Sequence, residues 1–61
     1  MANLTSKELN ALSDQLDFEK VLHCKYLDAA QQSTDRELQG KFRSCADQHL
    51  KNYQTLLGHL R

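Results

Sequence analysis

Hydrophobic positions recur at alternating spacings of three and four along two stretches of the chain. Leu9, Leu12, Leu16, Glu19, His23, Tyr26 and Ala30 make one stripe, and Leu38, Phe42, Cys45, His49, Tyr53, Leu56 and Leu60 make a second. That spacing places each set on one face of an α-helix. Thr5 and Glu8 have capping-box spacing, so the first helix is expected from about Ser6 to about Gln32. Ser33-Thr34-Asp35 is the one break in the pattern. Thr34 with Glu37 offers a second capping box, and Asp35 is an equally good N-cap. The second helix then runs from about Arg36 to Leu60. Each helix is roughly 25 residues, or about 38 Å long. So short a turn folds them into an antiparallel αα-hairpin, a single all-α unit over residues 1–61.

The stripes are not purely apolar. Leucines fill the ends of the first, but its middle carries the Glu19 carboxylate and the His23 imidazole. The second carries the Cys45 thiol and the His49 imidazole at the corresponding place. In an antiparallel hairpin turning near Ser33 and Thr34, Glu19 falls level with His49, and His23 with Cys45. Within each helix the two groups are four residues apart and can meet on one face. Buried polar groups must pair, bond or bind something, which leaves two readings open. Glu19 and His49 hydrogen-bond and set the register of a bundle, with Cys45 as a small core filler. Alternatively Glu19, His23, Cys45 and His49 are ligands to a metal, zinc or iron. Cys24 sits beside the seam. His59, in the last turn, complements the helix dipole. Tyr26 and Tyr53 read as core aromatics whose hydroxyls reach a partner.

The apolar faces are wider than one partner helix can cover. Phe18, Val21, Leu22 and Leu27 lie off the first seam, and Ala46, Leu50, Tyr53, Leu57 and Leu60 form a further stripe on the second helix. Such width predicts self-association, with two hairpins making a homodimeric four-helix bundle. The outer Phe18 and Val21 would serve further assembly. With 61 residues the chain is also near the lower limit for burying its own core.

Composition removes several function classes. Formal net charge is zero, and Lys7, Lys20, Lys25, Lys41 and Lys51 interleave with acids, so neither nucleic acid nor an anionic membrane is an expected partner. No apolar run approaches the roughly 20 residues of a bilayer span. Met1-Ala2-Asn3-Leu4 lacks the basic-then-apolar layout of a secretory signal. Cys24 and Cys45 form no CxxC pair, which fits a reduced, intracellular setting. There is no Gly-rich phosphate loop, nucleophile elbow or Ser/His/Asp arrangement, and Glu19 is the only acid on either seam. The expectation is a protein that is not an enzyme.

Four stretches then carry a resemblance: Leu4-Thr5-Ser6-Lys7-Glu8-Leu9, Glu19 to Tyr26, Thr34-Asp35-Arg36-Glu37-Leu38, and Asp47-Gln48-His49 followed by Tyr53. Together they resemble the spore coat protein F-like family of ferritin-like helical proteins and span nearly the whole chain. The resemblance implies an antiparallel helical bundle, a structural role in the bacterial endospore coat, and other coat proteins as partners. The wider ferritin-like superfamily holds two irons with a Glu on one helix and an ExxH on the next. Glu19 with Tyr26 seven residues later looks similar to the first pattern. His49 matches the histidine of the second, but Ala46 stands where its Glu would be. The resemblance therefore implies a bundle that keeps the scaffold and has lost most of the metal chemistry. A weaker third reading is a regulatory helical adaptor offering its apolar groove to a partner helix.

Overall fold

The computed structural model describes residues 4–60, so the reading of Met1-Ala2-Asn3 lies outside the described residues. Two helices follow one another, α1 over Ser6–Gln32 and α2 over Arg36–Gly58. Among the described residues there is no strand. At the start of α1 the capping box forms as expected. Thr5 is extended, its hydroxyl oxygen accepts from the Glu8 N–H at 3.1 Å, and its own N–H donates to the Glu8 carboxylate at 3.2 Å. Two backbone donors that a helix start leaves bare are thereby satisfied.

At the turn, Asp35 and not Thr34 is the N-cap. Its backbone carbonyl already accepts the first helical bond from Gln39, and its carboxylate takes the Leu38 N–H at 3.1 Å. Thr34 is one residue too early to reach that donor. Ser33 closes α1 by donating its N–H to the Ala29 carbonyl at 3.0 Å, and the Gln39 side chain donates to the Ser33 carbonyl. No described residue has positive φ, so the link needs no glycine. At the far end α2 stops at Gly58, two residues short of the expected Leu60. The N–H groups of His59 and Leu60 reach carbonyls only three residues back, at 3.1 Å each. A tightened last turn of this kind is the common way a helix end uses its last carbonyls.

The contact between the helices is narrow. Leu16, Ala30 and Ala46 are buried, with Ala46 at 0% exposure the tightest point. Ala46, expected on a flanking stripe, in fact occupies the centre of the α2 face. Its methyl side chain lets α1 come close enough for the His23 ring to touch the Ala46 backbone. Tyr26 packs on Phe42 across the seam, ring centres 6.2 Å apart. Leu9 and Leu38, both on the expected seams, remain exposed. Leu9 lies level with the chain just past Gly58, where α2 has no further turn to cover it. Leu38, in the first turn of α2, lies level with the small Ala30. The result is a rod of 46 × 15 × 10 Å. Its radius of gyration is 14.3 Å, against about 10.5 Å for a globular chain of this length.

Candidate functional site: a polar layer between two grooves

Midway along the rod, Glu19 is pulled inward to 5% exposure. A carboxylate there requires donors, and α2 supplies two. The Nδ1 of His49 lies 3.1 and 3.3 Å from the two Glu19 oxygens, and the Asn52 side-chain amide 3.4 and 3.2 Å from them. Both oxygens thus face donors from one turn of α2, since His49 and Asn52 are three residues apart. Tyr26 stacks flat on the His49 ring at a centre distance of 5.6 Å and an interplanar angle of 7°, which fixes the plane in which the imidazole can donate. Among the described residues no buried side-chain nitrogen or oxygen lacks a partner. Such a layer resists sliding. A shift by one residue would leave the Glu19 carboxylate buried without donors, a cost of several kcal/mol, about the worth of a buried ion pair broken on one side.

His23 works separately. Its Nδ1 lies 2.7 Å from the Ala46 carbonyl oxygen. A carbonyl only accepts, so the ring carries its proton on Nδ1 and donates. The His49 Nδ1 likewise points at an acceptor, so both histidines use the same nitrogen to tie the helices together.

The four residues expected as ligands do not gather at one point within the chain. Glu19 and His49 pair, His23 is committed to the Ala46 backbone, and Cys45 is a half-buried free thiol outside both contacts. Among the described residues no three His, Cys, Asp or Glu groups are placed to hold a metal ion. The physical reason is the offset of a little over a quarter-turn between neighbours on α2. His23 meets the carbonyl of Ala46, while the Cys45 side chain leaves the helix about 100° away around its axis. Asn52 is the member of the layer that sequence reading missed. It stands three residues after His49 on the same face, an amide beside an apolar stripe, and that was its available signal.

Two valleys run along the hairpin on either side of the seam. One is lined by Gln15, Glu19, Asn52, Thr55 and Leu56, so the polar layer opens into it. The other is lined by Lys20, His23, Cys24, Leu50 and Tyr53, and its walls are almost wholly apolar. Cys24 is exposed there as a free thiol. The described residues contain no helix long and apolar enough to cross a membrane. Compared with protein-family models, curated proteins and solved structures, the chain has no match in any of the three.

Proposed function

We propose that the chain is a small structural and interaction protein that works as a homodimeric four-helix bundle. The observation that carries this reading is surface area. The hairpin exposes 4910 Å², whereas a compact monomer of 7.0 kDa exposes about 4,000 Å². The excess of about 900 Å² is close to the roughly 800 Å² that each partner contributes to a standard stable interface. Leu4, Leu9, Phe18, Val21, Leu27, Leu38 and Leu50 are all more than a third exposed, and covering some of them is the direct route to recovering that area. The Glu19–His49–Asn52 layer then acts as a register device at mid-length, a use of buried polar groups best attested in helical bundles. Its donors are already engaged within the chain, which favours the structural reading over zinc or iron binding.

A place in the bacterial endospore coat, beside other coat proteins, is supported by the sequence resemblance alone. The experiment for the assembly is native mass spectrometry and sedimentation over a wide concentration range, with and without chelator. The expected result is a metal-free dimer whose mass and melting are unchanged by chelation. A monomer throughout would overturn the bundle, and a chelatable metal that supports melting would turn the layer into a metal centre. For the coat, a tagged chain followed through sporulation in a spore-forming host is expected in the coat fraction, and exclusion from spores would end that assignment.

A further inference from the structure

We infer that the apolar valley lined by Lys20, His23, Cys24, Leu50 and Tyr53 is the seat of the second copy, so that this broad face is the dimer interface and the opposite one is not. The inference rests on the self-association proposed above and specifies where it occurs.

Three observations favour this face and this occupant. The first is chemistry. The opposite valley exposes Gln15, Asn52 and Thr55 and opens onto the buried Glu19 carboxylate, all groups that lose water on burial. Among the described residues lining the apolar valley Lys20 alone is charged, and its long stem can cover apolar surface while the ammonium stays at the rim. Toward the turn the same side continues past Leu27 to Arg43 and Asp47, two opposite charges at the end of the face. The same face continues along α2 from Leu50 and Tyr53 to Leu57. The second is position. The contacts of Glu19 with His49 and of Tyr26 with Phe42 set the level of one helix against the other. By that register Leu50 and Tyr53 lie level with the Gln15–Phe18 stretch of α1, and Cys24 lies level with Ser44. The valley is therefore centred near Glu19, the midpoint of α1. A mid-length patch can meet its own copy with the rods overlapping along their whole length whether the turns lie together or opposed; an off-centre patch could do so only with the turns together. The third is size. The broad side of the rod, 46 × 15 Å, offers about 700 Å² before side-chain relief, near the per-partner area of a standard interface. Zero net charge adds no repulsion between copies.

The test uses the full chain carrying Cys45→Ser, in which Cys24 is the sole thiol. Under conditions where this protein is dimeric, Cys24 is expected to react with a thiol-specific dye at least about ten-fold more slowly than in denaturant. Leu50→Glu in the same background is expected to raise the dimer dissociation constant by at least about a hundred-fold, the scale of a central hot spot present twice in a two-fold interface, and to release Cys24. Phe18→Glu, on the other side of the hairpin, is expected to leave the dimer and the Cys24 protection intact. A dimer whose Cys24 reacts freely, or one broken by Phe18→Glu and not by Leu50→Glu, would overturn the face assignment and leave self-association standing. A monomer at every concentration would overturn both. Because the Cys24 measurement needs no mutation in the valley, a Leu50→Glu chain that fails to fold does not remove the test.

Discussion

The two valleys of the hairpin are bounded by the same two helices and differ in how far they are finished. On one side, the Glu19 carboxylate meets His49 and Asn52, and Tyr26 lies flat on the His49 ring. Every demand of the polar layer is met by residues of the same chain. On the other side, Leu50 is exposed at 38% and Cys24 and Lys20 stand open beside it. The contrast teaches that specificity and cohesion are separate properties in a chain this small. Polar groups set how the helices align, while the surface that would hold copies together is left bare. A larger domain would merge the two in one core.

The strongest way to break the finished side is His49→Ala. It leaves the buried carboxylate with Asn52 alone and is expected to cost about 3 kcal/mol, as for a buried pair with one partner removed. Urea denaturation at a fixed protein concentration checks this. The companion Glu19→Met with His49→Leu is expected to be close to neutral in stability, because no charge is left stranded. If the pair of changes cost as much as His49→Ala, the layer would be supplying stability and not alignment.

Next in size is Ala46→Leu. The side chain has no room at 0% exposure, so the helices must part and the His23 contact with the Ala46 carbonyl must lengthen. A loss of about 2 kcal/mol is expected from overpacking, seen as a lowered denaturation midpoint. The His23 ring protons should shift in NMR spectra at the same time. Gly40→Ala serves as the control outside both valleys. Gly40 is exposed within α2, and an added Cβ meets nothing within 4 Å. A gain of about 0.8 kcal/mol is expected from helix propensity, and a loss would reveal a neighbour for that surface.

The smallest effect sits at the start of α1. The hydroxyl and backbone N–H of Thr5 hold the Glu8 carboxyl below its usual value of 4.5. A carboxyl lowered in the folded state contributes stability that is present above its unfolded value and is lost as pH falls through its folded one. Helix content in the first turn is therefore expected to fray as the solution is acidified below about pH 4.5, and Thr5→Ala, which removes the hydroxyl and keeps the backbone N–H, should weaken that dependence. Amide exchange at Glu8 and Leu9 measures it without interference from either valley.

Much of this was legible in the residues. Periodicity and the Thr5–Glu8 box give the first helix from Ser6 to Gln32, and the turn arithmetic puts Glu19 opposite His49. Both are local or one-dimensional properties. The missing pieces depend on how near the helices approach and how they are rotated. Ala46 reads as part of a flank by spacing, yet the closest contact goes to the smallest side chain. His23 pairs by level with Cys45, whereas its ring reaches the Ala46 backbone oxygen, which no sequence pattern displays. Asn52 escaped notice because an amide in a polar-rich helix looks like solvent-facing surface until a carboxylate is found within reach. Leu9 and Leu38 have seam spacing but lack a facing side chain large enough to cover them, which depends on where the opposite helix ends or narrows.

The three-residue link has a consequence for building with this rod. Because the helices are antiparallel and the turn is short, both chain ends leave from one pole, and the opposite pole carries only Ser33-Thr34-Asp35. Two rods joined with their turns together make an object with unlike poles: four chain ends on one side and two bare turns on the other. Two rods joined with turns opposed make an object whose poles are identical. Fluorophores attached at Thr34 of each chain separate these cases by energy transfer, near contact in the first and about the 46 Å rod length in the second. An object with unlike poles ends a chain of subunits or anchors it; an object with like poles can link neighbours in both directions.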